Sequence, residues 1–88
     1  KYTDSAESKK AIDVITAKLQ EVLESKQFED DDKNGFLNTF ASYLERYVSA
    51  ESLTLWGAAV KKAIFIAKQD MKKVDSAVVG KLSSLVQC

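Results

Sequence analysis

Apolar residues recur about once per helical turn in four successive stretches of the chain. The first stretch, residues 5–26, has the clearest pattern, because its apolar side chains fall on one side of a helical wheel and its polar side chains on the other. The apolar positions are Ala11, Ile12, Ile15, Leu19, Val22 and Leu23. This periodicity predicts an amphipathic helix, and Asp4 and Glu7 have the spacing of a capping box at its start.

A second helix is predicted over residues 32–47, because Asp30, Asp31 and Asp32 precede a broad aromatic face and carboxylates favour the positive end of a helix. That face contains Phe36, Leu37, Phe40, Tyr43, Leu44, Tyr47 and Val48. Ser49 is suited to cap a third helix over residues 50–73. No Gly or Pro enforces a break before it, so one continuous helix is the alternative. A tight turn is the prediction, because an unbroken rod could not fold its apolar face onto itself.

The third and fourth helices complete the predicted fold. The third carries a wide apolar stripe, which indicates a central helix with several neighbours. Asp75 is suited to cap the fourth. We predict an all-α, small four-helix bundle in one domain, residues 1–88, antiparallel and up-down with short connections, with an irregular arrangement as the alternative. The stripe of helix three contains Leu53, Leu55, Trp56, Ala59, Val60, Ala63, Ile64, Ile66, Ala67 and Met71, and that of helix four Val78, Val79, Leu82, Leu85 and Val86.

Two glycines fall in the interior of predicted helices, beyond the first turn. A glycine in a helix costs about 1 kcal/mol relative to alanine. Gly57 in helix three therefore suggests either a close approach of another helix or room for a ligand, and Gly80 in helix four has the same two interpretations.

The charges cancel overall, with 13 basic and 13 acidic residues, which argues against a nucleic-acid binder. Residues 1–48 are nevertheless acidic by about three charges and residues 49–88 basic by about three. Packing of acidic helices against basic ones is the favoured explanation of this asymmetry, and a dedicated binding face is the alternative. No apolar run is long enough to span a membrane. The chain begins at Lys1, which favours either a processed, secreted protein or an excised piece.

Several catalytic devices are missing from the composition. The chain has no histidine, so the commonest general base and the commonest transition-metal ligand are absent. It has one cysteine, too few for a zinc cluster, and no glycine-rich phosphate loop. We therefore expect neither enzymatic activity nor a cofactor.

Residues 30–41 resemble the calcium loop of an EF-hand. Asp30, Asp32 and Asn34 match the first, third and fifth positions of that loop, and a glycine follows at the sixth. Ala41 stands at the twelfth position, where the loop requires a bidentate glutamate. An acidic turn leading into a helix explains the segment better, so calcium binding is the weakest of three functional hypotheses.

Phe65 lies on the polar side of helix three, among basic residues. If the bundle buries the opposite stripe, Phe65 is exposed or half covered; lysine stems or another helix could also cover it. An aromatic side chain ringed by cations suits an acidic protein surface. The leading hypothesis is therefore a non-catalytic interaction domain, such as an adaptor, an effector or a subunit of an assembly. The basic residues are Lys61, Lys62, Lys68 and Lys72.

A second candidate site combines aromatic residues of helices two and three. Around a gap, these side chains would line a pocket for a small apolar ligand such as a lipid, although an aromatic core needs no ligand. The size, the four helices and a cysteine near the end resemble the secretoglobins, a family of small secreted carriers, but the first helix lacks that family's pairing cysteine. The aromatic residues are Phe40, Tyr43, Tyr47 and Trp56.

Cys88 is the only cysteine and falls outside the apolar stripe of helix four. An accessible thiol at this place could form an intermolecular disulfide in an oxidising compartment. The sequence therefore also suggests a homodimer joined through Cys88.

Overall fold

The computed structural model describes the backbone of residues 5–86 and the side chains from Ser8 onward, and it shows four helices joined by short connections. They are α1 (Ser5–Glu24), α2 (Asp30–Tyr47), α3 (Ala50–Asp70) and α4 (Ser76–Leu85). No strand occurs within residues 5–86, so the predicted all-α four-helix fold is confirmed. The expected capping box of Asp4 with Glu7 lies outside the described side chains.

Two helix starts were correctly predicted from single capping residues. The Ser49 hydroxyl accepts a hydrogen bond from the backbone N–H of Ser52 at 3.2 Å. The Asp75 carboxylate accepts one from the N–H of Ala77 at 3.0 Å. Each bond satisfies an N–H that the first turn of a helix leaves without a backbone partner. The helical conformation is interrupted at residues 48–49, so α2 and α3 are separate helices.

Three predicted helix boundaries were wrong by two or three residues. α1 ends at Glu24 instead of residue 26, and α2 begins at Asp30 instead of residue 32. α3 ends at Asp70 instead of residue 73, because Met71 adopts an extended backbone conformation and its side chain enters the core. The helical-wheel position assigned to Lys72 therefore does not apply.

Successive helices point in opposite directions, as predicted. The start of α2 meets the segment before α4, and its end approaches Lys81 of α4, so α2 and α4 run parallel to each other. α1 and α3 are also parallel, since residues 9–16 face residues 54–62 and Glu24 lies near Asp70. α1 packs mainly on α3 instead of on its sequence neighbour α2. The buried face of α3 includes three alanines, whose small side chains allow neighbouring helices to approach closely: Ala59, Ala63 and Ala67.

The core draws on all four helices. Phe40 of α2 packs against Trp56 of α3, with ring centroids 5.7 Å apart. Ile15 and Ile64 are partly buried against the core. Ala11 and Leu55 were expected in the buried stripes but are exposed, because each falls at the edge of its helix's buried face. The fully enclosed large side chains are Leu19, Leu23, Leu37, Leu44, Val60 and Leu82.

Packing of acidic helices against basic ones accounts for little of the charge asymmetry. Within the described side chains, one ion pair joins the acidic and basic halves: the Lys81 ammonium lies 3.6 Å from a Glu45 carboxylate oxygen and also donates to the Ser42 hydroxyl. The other pair, Lys18 with Glu21, lies within α1. The three lysines of α3 are therefore exposed and have no ion-pair partner among the described side chains. No helix in residues 5–86 has both the length and the apolar character needed to cross a membrane.

Gly57 and Gly80 do not mark close helix contacts. A Cβ built at either position meets no atom of a neighbouring element within 4 Å, so the close approach suggested for these glycines is wrong.

Replacing Gly57 with alanine should therefore stabilise the domain by about 0.5–1 kcal/mol, because alanine restricts the unfolded chain more and adds no clash. Chemical denaturation should show a higher midpoint with an unchanged slope. Gly80→Ala provides a second, independent case, and the two gains should add. A lower midpoint for Gly57→Ala would contradict the open space found beside residue 57.

Candidate protein-interaction site

Phe65 lies at the centre of the outward face of α3. Helix α1 flanks that face on one side, across a groove that includes Ala58 and Lys62, and α4 flanks it on the other, across a groove that includes Lys61 and Ile64. The side chain of Phe65 is 66% exposed, so neither lysine stems nor another described helix covers the ring. The exposure predicted from the helical wheel is therefore observed.

Lysines surround Phe65 on the adjacent turns of α3. Lys61 and Lys62 lie one turn before it and Lys68 one turn after it, and all three are exposed. Within the described side chains, none of them has a carboxylate within 4.0 Å. We call Phe65 together with Lys61, Lys62 and Lys68 the Phe65 surface. It presents an apolar centre inside a positively charged rim.

Lys72 was expected to belong to the same ring, but the structure separates it from the helical face. It lies beyond the end of α3, and its backbone N–H donates to a carboxylate oxygen of Asp30 at 3.0 Å. Its side chain lines a different groove, together with Phe28 and Asp70. Lys72 was assigned to this face because α3 was predicted to be three residues longer than it is.

The four aromatic residues of the suggested ligand pocket divide into two pairs. Phe40 and Trp56 are buried against each other in the core. Tyr43 and Tyr47 lie on the surface of α2, with ring centroids 5.6 Å apart. Tyr43 is at the edge of the buried face and Tyr47 is the last residue of the helix, and their hydroxyl groups favour contact with water. Tyr43, Tyr47 and Trp56 nevertheless line one groove, which is open to solvent and has a volume of about 420 Å³.

The suggested calcium ligands do not converge on one point. Asp30, Asp32 and Asn34 lie in the first turns of α2 instead of in a loop, and residues two apart on a helix point to different sides. Asp30 and Asn34 already bind the backbone of the connection between α3 and α4. Within the described residues, no group of three or more aspartate, glutamate, histidine or cysteine side chains is placed to hold a metal ion.

The bonds made by Asp30 and Asn34 were not found from the sequence. One Asp30 oxygen accepts from the N–H groups of Lys72 and Lys73, at 3.0 and 2.9 Å. The Asn34 amide oxygen accepts from the Asp75 N–H at 2.9 Å, and its amide nitrogen donates to the Lys73 carbonyl at 3.0 Å. We call these four bonds the α2–loop clamp. Asp30 and Asn34 are one helical turn apart and reach the same segment.

Lys33 was also missed. It is the only charged side chain buried among the described residues, at 5% exposure. Its position four residues before Leu37 could have shown that it shares the core face of α2. The lysine lines a groove with Glu24, Glu29 and Asp70, but among the described side chains no carboxylate lies within 4.0 Å of its ammonium.

Cys88 lies outside the described residues, so the suggested intermolecular disulfide stays a prediction. The candidate site consists of side chains of α3 and their neighbours on α1 and α4.

No protein-family model matches the chain, and no curated protein or solved structure shows significant similarity to it.

Proposed function

We propose that this chain is a non-catalytic interaction domain that binds an acidic segment of another protein through the Phe65 surface. The observation that supports the proposal most strongly is the exposure of Phe65 at the centre of the outward face of α3. Full burial of a phenylalanine side chain contributes about 1.5–3 kcal/mol, and the fold gains little of this from Phe65. A partner that covers the ring recovers that free energy as binding free energy.

The charge of the surface defines the class of partner. The three lysines around Phe65 have no acidic neighbour within ion-pair distance among the described side chains. Carboxylates on a partner would complement these lysines and speed association. The same lysines would repel a basic partner. Such binding should weaken as salt increases, because exposed charges are screened over about 8 Å at physiological ionic strength.

Replacing Phe65 with serine should weaken binding to acidic peptides at least about tenfold, equivalent to about 1.4 kcal/mol. Peptides are first selected from a displayed random library on the immobilised wild-type domain, and their affinities are then measured by fluorescence anisotropy. The selected peptides should be rich in Asp and Glu around apolar residues. The loss is expected because the serine variant offers no aromatic anchor.

Val14→Ser is the matched control, because Val14 is 65% exposed and lies on α1. This variant should bind as the wild type does, and both variants should keep their helical circular dichroism and melting temperature. A charge reversal, Lys61→Glu with Lys62→Glu, should weaken binding more at low salt than at high salt. Selection of basic peptides, or equal affinities of the Phe65→Ser and wild-type domains, would contradict the proposal.

A further inference from the structure

A groove between α1 and α3 reaches the Phe65 surface. It has a volume of about 600 Å³ and is open to solvent. Its walls are two parallel helices, with Ile12 and Thr16 on α1 and Leu55, Ala58 and Lys62 on α3. We call it the α1–α3 groove. Its floor is apolar, and charged side chains stand at its edges.

The outward side chains of α3 have the spacing of a helix-packing seam. Leu55, Ala58, Lys62 and Phe65 follow one another at intervals of three, four and three residues. A helix presents side chains at these intervals to a second helix that lies alongside it. Leu55 is 47% exposed and Phe65 66%, so helices α1, α2 and α4 leave this seam largely open.

The size and charge of the groove fit one type of occupant. Ala58 is small and exposed at the middle of the seam, where a packed helix needs room to approach. Lys9 and Lys62 stand at the edges of the groove against a single acid, Asp13. The Phe65 surface adds further positive charge at one end. The seam extends from residue 55 to residue 65, or about 15 Å, which is about three turns of helix.

We infer that the acidic partner segment binds as an amphipathic α-helix along the α1–α3 groove, with its apolar face on Leu55, Ala58 and Phe65. This inference rests on the proposed function and adds the conformation and position of the partner. It is the helix-in-groove mode of peptide recognition. Glutamates or aspartates beside the apolar face would approach Lys9, Lys61, Lys62 and Lys68.

Two synthetic peptides of equal composition test the conformation. Each is about 18 residues long, because shorter isolated helices are marginal in water. In the first, leucines recur at intervals of three and four residues among glutamates and alanines; in the second, the leucines alternate with polar residues. The first peptide should bind at least about tenfold more tightly and gain helical circular dichroism on binding. Equal affinities, or no binding of the first peptide at about 1 mM, would overturn the inference.

Ala58→Gln tests the position, because a longer side chain fills the groove and leaves Phe65 and its lysines in place. It should weaken binding of the first peptide at least about fivefold. Val14→Gln is the control and should change nothing, since Val14 lies two residues from Ile12 and so on the opposite side of α1. Thermal melts verify that both variants fold.

The variants separate the inference from the proposed function. Loss of binding in Phe65→Ser but not in Ala58→Gln would overturn the inference that the partner binds along the α1–α3 groove. The Phe65 surface would then remain as the binding site. Unchanged binding in both variants would overturn both. Sedimentation of the domain alone provides a further test: concentration-dependent dimers that Ala58→Gln abolishes would show that a second copy fills the groove, and would overturn the acidic partner.

Discussion

Replacing Leu44 with alanine is expected to cost the domain about 3–5 kcal/mol of unfolding free energy. Leu44 is fully buried in α2, among core residues from all four helices. Removing its side-chain methyl groups loses their burial and leaves a cavity that the helices around it cannot fully close. A domain of this length has a total stability of about 4–13 kcal/mol, so the substitution removes a large part of it. Urea denaturation followed by circular dichroism measures the loss.

Leu55→Ala is the matched control for Leu44→Ala, because the residue and the change are the same and only the environment differs. Leu55 is nearly half exposed. Its replacement should cost less than about 1 kcal/mol, since little apolar area is removed from the interior. Both variants should retain the wild-type denaturation slope, which scales with the surface exposed on unfolding. A loss at position 44 no larger than the loss at position 55 would show that the packing around α2 is not as described.

The helices could be predicted from the sequence because each is determined mainly by local residues. Apolar periodicity and the capping side chains of Ser49 and Asp75 depend on residues a few positions apart, and both are visible in a single chain. Which helices pack against each other was harder to predict from the sequence. α1 packs mainly on α3, but many arrangements of four helices would bury the same apolar stripes, and the sequence does not distinguish among them.

The candidate site shows the same division between local and distant information. The exposure of Phe65 follows from its angle on the helical wheel, which the sequence contains. The pocket suggested for Tyr43 and Tyr47 required those side chains to face Trp56 across a gap. Both tyrosines line one groove with Trp56, but the groove is open and the two tyrosines are exposed. Whether aromatic residues at the edge of a stripe enclose a pocket or face the water depends on the neighbouring helices.

Replacing Asp30 with alanine should cost about 2–3 kcal/mol, because its carboxylate accepts two backbone N–H bonds in the α2–loop clamp. Hydrogen bonds to a charged group contribute about 1.5–3 kcal/mol, and the N–H groups of residues 72 and 73 would lose their partner. Asp30→Asn should cost less, since an amide oxygen can still accept these bonds. Urea denaturation of the variants measures the differences.

Asp31→Ala and Asp32→Ala are the controls, because both residues share the first turn of α2 with Asp30 and are exposed. Each loses a similar favourable interaction with the positive helix end, which is about 0.3–1 kcal/mol, but no bond to the loop. The excess cost at position 30 therefore measures the clamp alone.

A double-mutant cycle of Asp30→Ala with Asn34→Ala tests whether the two side chains act together. They hold one short segment, residues 72–75, so loss of either should loosen the backbone that the other binds. The combined cost should then be smaller than the sum of the single costs by about 0.5 kcal/mol or more. Strict additivity would mean that each side chain holds the loop independently of the other.

Added calcium should not change the stability of the wild type, since Asp30 and Asn34 are engaged by the loop and Asp32 points elsewhere. A calcium-dependent rise in its melting temperature would show that the three side chains can leave the clamp and bind an ion.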